Sequence, residues 1–182
     1  MKVIGVVGLP ASGKGEFSKI ASQMGIPVIV MGDMIRKAVS NAGLVPSDAN
    51  FGAMANRLRA EGGMDAVAKL CIPEVRIQSA PLVLVDGIRG DAEVTLFRQA
   101  FSRFIVIRID SSFENRLARI TARARSDDFT SADALRNRDE RELKWGLGTA
   151  LLSADIRISN EGSLEEFATE VHALLEQIGR DP

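Results

Sequence analysis

Apolar and polar residues alternate in blocks along the chain, and the period of each block points to an element. Residues 3–7, Val-Ile-Gly-Val-Val, are a short and mostly β-branched run that stops at a glycine-rich turn. Such a run reads as a strand buried on both faces of a parallel sheet. After Lys14 the period changes: Phe17, Ile20, Ala21 and Met24 recur at helical spacing. Residues 28–30 form a second apolar run, and 33–39 a short helix with Gly43 and Pro46 marking its exit. Residues 50–79 read as helical, with Phe51, Met54 and Leu58 on one face and Val67, Leu70 and Cys71 continuing the pattern. Gly62-Gly63 separates two helices there, and Pro73 begins or bends another. Residues 82–85 and 104–107 are the third and fourth buried strands, and Asp91 is placed to cap the helix between them. Ser111 to Glu114 matches a capping box, opening an arginine-rich helix to about residue 125. Ser126-Asp127-Asp128 breaks it, and a second charged helix covers about 131–144. Residues 156–158 are the last strand, followed by a capping box at Ser163 to Glu166 and an amphipathic helix to about residue 178.

Strands alternating with helices predict an α/β fold of three layers, a five-stranded parallel sheet with helices on both faces. Residues 1–182 are expected to form a single domain. Ligands of such sheets bind at the carboxyl ends of the strands. The segments 8–15, 31–37, 86–91, 110–112 and 159–163 are therefore where chemistry is expected.

Composition narrows the classes. With 46% apolar and 26% charged residues among 182, the chain can bury a core. A net charge of −1 argues against non-specific nucleic-acid binding, which needs a basic footprint. The one cysteine, Cys71, excludes an internal disulfide and sits in an apolar run, where it reads as a small buried hydrophobe. The opening residues lead directly into a strand pattern with no leader. No apolar run approaches the ~20 residues needed to span a bilayer. A cytoplasmic protein without membrane contact is expected; the oligomeric state is not legible.

Between the first strand and the first helix lie Gly8, Leu9, Pro10, Ala11, Ser12, Gly13, Lys14 and Gly15. Glycine, four residues, then Gly-Lys is the Walker A pattern up to its last position. The glycines let the backbone turn tightly and approach phosphate oxygens. The loop N–H groups form an anion nest, and the following helix adds its positive end. Lys14 supplies a mobile cation for the β- and γ-phosphates. The Ser or Thr that usually follows, a direct Mg²⁺ ligand, is Gly15 here. Metal must then be held through water or by a carboxylate elsewhere.

Asp86 ends the third apolar run, a Walker B type of position suited to Mg²⁺-bound waters or to accepting a proton; a turn or helix cap is the plainer reading. Asp33 and Arg36 follow the second strand, three residues apart on one helix face. They read either as a surface ion pair or as an acceptor site, with Arg36 bridging a phosphate. Arg89 is a further candidate clamp. Arg116, Arg119, Arg123 and Arg125 fall in one helix, and Arg136, Arg138 and Arg141 in the next. A solvated face explains such charge, and so does a lid that delivers arginines to a transferring phosphoryl group. Gly146 and Gly148, with the 126–128 break, are candidate hinges. Trp145 reads as packing beside those glycines, and His172 as an ordinary surface or core histidine.

Gly13-Lys14-Gly15, residues 30–36 (Val-Met-Gly-Asp-Met-Ile-Arg) and residues 85–89 (Val-Asp-Gly-Ile-Arg) resemble the adenylate-kinase branch of nucleoside monophosphate kinases. Over residues 1–175 the chain more closely resembles a mostly archaeal family of P-loop kinase-like proteins related to adenylate kinase and dephospho-CoA kinase. That resemblance rests on Gly-Lys-Gly-Glu, Val-Met-Gly-Asp-x-x-Arg, Asp-Gly-Ile-Arg, Arg-Ser-Asp-Asp, Arg-Asp-x-Arg-Glu-Leu and Asn-Glu-Gly-Ser-Leu-Glu-Glu-Phe. It implies an ATP- and Mg²⁺-dependent phosphotransferase acting on a small phosphorylated acceptor, a nucleoside monophosphate or related nucleotide. Dephospho-CoA kinase-like activity, or an ATPase switch acting on a macromolecule, are the alternatives. It further implies that Arg36 and Arg89 contact the acceptor and that Arg119, Arg123, Arg138 and Arg141 act from the lid. Asn160 would contact the base. The acceptor segment would cover about 33–80 and the lid about 111–147. Two departures stand: Glu16 where the branch has threonine, and one residue fewer before Arg89.

Overall fold

The computed structural model describes residues 1–123 and 131–180, with Arg123 described by its backbone alone. Arg125, Ser126, Asp127 and Asp128 lie outside the described residues, as does the Arg123 side chain.

Five parallel strands form one sheet in the order β2-β3-β1-β4-β5. β1 (Lys2–Val7) is central, between β3 (Leu82–Asp86) and β4 (Phe104–Asp110). β2 (Val28–Val30) and β5 (Ile156–Ser159) are the edges. Alternate residues of a strand project to opposite faces, and β1 and β3 divide accordingly. Val3, Val7, Val83 and Val85 pack under α2 (Met31–Asn41), α3 (Asp48–Gly62), α4 (Ala66–Arg76), α5 (Asp91–Ala100) and α8 (Leu147–Leu152). Ile4, Val6, Leu82 and Leu84 pack under α1 (Lys14–Gln23) and α9 (Leu164–Arg180). The expected three-layer α/β architecture is thus present. Cys71 is fully buried in the first core, where burial and the nearby Glu93 push its thiol up to about 12. Among the described residues no helix is long and apolar enough to cross a membrane. His172 is exposed on α9.

Register places the chemistry. Val6 and Val30 both pair with Asp86, so that carboxylate ends β3 level with the last residue of β2 and the penultimate residue of β1. α6 (Phe113–Arg123) and α7 (Ala132–Lys144) carry the two arginine sets.

Local expectations changed at several ends. β4 runs three residues past 107, because Ile109 continues the buried alternation while Arg108 and Asp110 pair with each other on the more open side. Asp91 does not cap α5: Gly90 holds the cap position and Asp91 is the first helical residue, where its charge still favours the helix dipole. The first capping box is displaced by one residue. Ser112 Oγ accepts from Asn115 N at 3.4 Å, and the Ser112 N–H is taken by Glu161 at 2.5 Å, not by Glu114. The second box forms as expected, with Ser163 Oγ accepting from Glu166 N and Glu166 accepting from Ser163 N. Pro73 lies inside α4. The six-residue α8 was not anticipated.

Candidate functional site

The loop from Gly8 to Gly13 joins β1 to α1. Two of its residues have left-handed backbone: Gly13 at φ 118° and, without a glycine's freedom, Ala11 at φ 62°. Strain of this kind costs ~1–3 kcal/mol and persists where surroundings enforce it. Those surroundings can be named. Arg116 Nη1 donates to the Pro10 carbonyl at 3.1 Å, and Asn160 Nδ2 to the Ser12 carbonyl at 2.9 Å. Arg119 Nη1 lies 3.5 Å from the carbonyls of Ala11 and Ser12. Side chains thus hold the loop's carbonyls from outside. Gly13 is required by contact as well as by torsion, since a Cβ there would sit 2.2 Å from Asn160 Nδ2.

Lys14 folds back on the loop, its Nζ bonding Gly8 O at 2.5 Å and Leu9 O at 3.0 Å. Burial, and then Arg89, hold it down from 10.5 to about 7, against the opposing pull of Asp86; Arg138 and Arg116 add to the lowering. A half-buried lysine amid arginines is an anion site in its electrostatics.

Asp86 accepts from Ser18 Oγ at 2.8 Å. Ser18 lies on α1 one turn beyond Lys14, which brings both groups to the end of β3. After Asp86 the chain turns through Gly87 to Arg89, whose N–H donates to Glu93 Oε2 at 2.7 Å. The Arg89 guanidinium donates to Glu142 of α7, and burial with the neighbouring Arg138 lowers it to about 10. Glu142 also accepts from Arg138 Nε at 3.2 Å, is 1% exposed, and leaves Oε2 without a hydrogen-bond partner among the described residues.

Lys14, Asp86, Arg89, Arg138 and Glu142 line one cleft of about 690 Å³. It contains Pro10, Ala11, Gly13, Lys14 and Gly15 of the loop, with Asp86, Arg89, Arg119, Arg138, Asn160 and Arg36 around it. A cavity of about 90 Å³ shares Gly32, Arg36, Arg89 and Arg138 with that cleft and adds Asp48, Phe51, Arg141 and Trp145. Arg141 meets Asp48 at 3.4 Å, and Arg59 stacks over the Trp145 ring at 4.4 Å. Trp145 Nε1 donates to Asn56 Oδ1, so its ring is fixed by packing at the cavity wall.

Asp33 lines neither space. It pairs with Arg36, Nε at 2.9 Å and Nη2 at 2.5 Å, with both side chains about half exposed (55% and 54%). Arg36 keeps its place at the rim. Arg119 is tied to Ser111 Oγ at 2.9 Å and to Asn160 O at 2.6 Å. Asn160 has its amide nitrogen on the loop and its Oδ1 on Arg119, so it acts here as a brace of the loop.

Four residues escaped the sequence reading as site members: Ser18, Arg116, Glu142 and Glu93. Ser18 carried a faint signal, a polar residue at i+4 from Lys14 on a face otherwise apolar. Nothing local marks Glu93, and Arg116 stood undistinguished among the lid arginines, because Arg59 and Asp139, which they meet, are distant in sequence.

The donor set fits Mg²⁺, which binds one or two carboxylates together with substrate phosphates and water. Of the carboxylates lining the cleft, Glu16 and Glu142 are engaged by basic partners, which leaves Asp86, bonded by the Ser18 hydroxyl, as the oxygen donor, and a Cβ at Gly15 would meet nothing within 4 Å. No group of three or more His, Cys, Asp or Glu able to hold a metal occurs among the described residues.

A family model described as an AAA domain matches residues 7–136. The UPF0200 protein of Methanoregula boonei is 64% identical over 182 residues, covering 100% of both chains. The UPF0200 protein of Methanosarcina acetivorans is 51% identical over 176 residues, 96% of this chain and 94% of that one. Among solved structures, TT1252 from Thermus thermophilus matches with a TM-score of 0.66 at 19% identity, over 97% of each chain. Shikimate kinase from Acinetobacter baumannii in complex with shikimate matches with a TM-score of 0.61 at 19% identity, over 100% of this chain and 96% of that one. A gluconokinase from Sinorhizobium meliloti gives 0.60 at 17% identity, over 98% and 93%. At these identities the structural likeness is one of fold. With a P-loop kinase fold, and with identity to archaeal relatives that runs the full length of the chain, this protein belongs to the UPF0200 family.

Proposed function

We propose that this protein is an ATP-dependent phosphotransferase that moves the γ-phosphoryl group of ATP to a small anionic acceptor, a nucleoside monophosphate or a related nucleotide. One observation carries this reading. The cleft that holds the phosphate loop, Lys14 and Asp86 opens onto a cavity ringed by Arg36, Arg89, Arg138 and Arg141. At about 690 Å³ the cleft falls within the range of ~300–1,000 Å³ common for ligand sites. The cavity, at about 90 Å³, offers about three times the ~30 Å³ that one water occupies in the liquid. That suits an anionic head group, with the body of the acceptor in the wider cleft.

An acceptor phosphate oxygen attacks the γ-phosphorus while the bond to the β–γ bridging oxygen breaks, and ADP leaves. Lys14 and the arginines offset the charge carried through this displacement; the protein contributes position and field. Asp86, with Ser18 adjacent, would hold Mg²⁺ through water, and the ion would supply charge neutralisation to the bound phosphates. A phosphate acceptor needs no base. A hydroxyl acceptor does, and Asp86 supports that second reading. Glu16 and Glu142, which also line the cleft, pair with Lys19 and with Arg89 and Arg138, whereas Asp86 is bonded by a serine hydroxyl. Dephospho-CoA is such an acceptor, and two fold neighbours are named shikimate kinase and gluconokinase.

A coupled ADP-release assay with nucleoside monophosphates, dephospho-CoA, shikimate and gluconate separates these readings, with ³¹P NMR locating the transferred group. Stimulation by a nucleoside monophosphate is expected. Stimulation by hydroxyl acceptors alone selects the second reading, and ADP release that no acceptor changes reduces the protein to an ATPase.

Lys14 makes ATP binding pH-dependent. Held near 7, its amine is largely neutral at pH 8, and arriving phosphates raise its pKa. Binding at pH 8 therefore takes up close to one proton, and affinity falls as pH rises above about 7, by at most about tenfold per pH unit. Calorimetry in buffers of different ionisation enthalpy measures the uptake; no uptake at pH 8 contradicts the assignment. The same lowering makes the unfolded state the better proton binder between about 7 and 10.5, so fold stability from this group rises with pH across that window.

A further inference from the structure

Arg138 and Asp139 are neighbours on α7 with different partners. Successive residues of a helix point about 100° apart. Arg138 lines the cleft, close enough to Lys14 for its charge to depress that amine. Asp139 instead receives a two-pronged bond from Arg116 of α6, Nη1 at 2.8 Å and Nη2 at 2.7 Å. The same Nη1 donates to the Pro10 carbonyl of the phosphate loop. Arg116 is 3% exposed, and a planar guanidinium with both prongs engaged fixes orientation as well as distance. On the other flank, Glu142, one turn beyond Arg138, accepts from Arg138 and from Arg89. Two of the ties on α7 flank Arg138. Asp139 and Arg116 join the helix to the backbone of the donor loop, and Glu142 and Arg89 join it to the turn after β3. Arg138 lies between the ties.

We propose that Arg116 and Asp139 form a strut that holds Arg138 in register with the phosphate loop. Both are positioning residues acting on phosphoryl transfer through Arg138. This rests on the phosphotransferase reading above. The Arg116 prongs are spent on Pro10 and Asp139, so neither residue of the strut contacts the reacting atoms. Displacement of a catalytic cation by even ~1 Å can cost on the order of 10²-fold.

The test needs no acceptor. Aluminium fluoride beside MgADP mimics the transferring phosphoryl group, so the ratio of MgADP affinities with and without it reports the cations aimed at that group. Wild-type protein is expected to prefer the fluoride complex. Asp139→Asn keeps the shape and removes the charge, and Arg116→Lys keeps the charge and removes the fork. Each is expected to lose about 10²-fold of that preference; Asp139→Asn does so with MgADP affinity unchanged, a separation that loss of fold would not produce, whereas Arg116→Lys, whose fork also holds the loop at Pro10, weakens MgADP as well and is read by the ratio alone. Thermal melts identify a variant that does not fold, in which case the other carries the test. Arg138→Ala should lose the preference by itself, and adding Asp139→Asn to it should change nothing further. Strut variants that keep the wild-type preference, or losses that add to that of Arg138→Ala, overturn the strut. If wild-type protein shows no preference and Arg138→Ala changes nothing, the phosphotransferase reading itself has failed.

Discussion

Lys14→Ala is expected to lower the turnover of ATP by ~10²–10³-fold, the usual cost of removing one preorganised charge from a developing anion. The fold should not suffer. Lys14 Nζ bonds carbonyls of its own loop, and its charge is disfavoured by burial and by Arg89. Removing it relieves that cost, so the melting temperature should stay level or rise. Loss of activity with unchanged or higher stability would separate a chemical role from a structural one. A variant that keeps most of its turnover would overturn the assignment of the donor loop.

Glu93→Ala is the substitution expected to damage stability most. Glu93 is fully buried and accepts from Arg59 Nη2 at 2.8 Å and from Arg89 N–H at 2.7 Å. Burial raises its pKa, with Arg59 opposing. Alanine would leave the Arg59 guanidinium, 4% exposed, in the interior without its counter-charge. Breaking a buried pair from one side costs about 3–5 kcal/mol. For a chain of this size that lowers the melting temperature by roughly 6–20 °C. Denaturant titration measures the loss, and a cost below about 1 kcal/mol, the usual ceiling for an exposed pair, would refute it. Replacing both partners by apolar residues of similar volume should recover most of the stability, because no orphaned charge remains. Activity would not recover with it, since Glu93 also holds the backbone of Arg89.

The strands and the phosphate loop were legible because their signals are local. Residues 3–7 and 82–85 are unbroken apolar runs, and such runs belong to strands covered on both faces. Gly8 to Lys14 carries its geometry in its glycines. Element ends were less legible. The capping box expected at Ser111 forms one residue later, with Glu161, nearly fifty residues downstream by sequence number, taking the Ser112 N–H. Asp91 looked like a cap by type, yet the chain enters α5 from Gly90, whose extended backbone fills that position.

The candidate site divides the same way. Lys14, Asp86, Arg36, Arg89, Arg119, Arg138 and Asn160 reach one cleft because each follows a strand or lies on a helix that returns to the same end of the sheet. Asp33 does not, because its ion pair with Arg36 faces outward. What each arginine does could not be read from its spacing. Arg116, Arg119 and Arg138 fall among the arginines of two consecutive helices, yet the first bonds Pro10 and Asp139, the second braces Asn160, and the third enters the cleft.

The sequence by itself determined the three-layer fold, the anion-binding loop and the carboxylate at the end of β3, because backbone torsion and hydrophobic period act over a few residues. Tertiary structure alone decided which charges are spent on holding the molecule together and which line the cleft. Charge acts through space: Asn160 meets Ser12 and Arg59 meets Glu93 across long stretches of chain, and no local pattern records such a pairing.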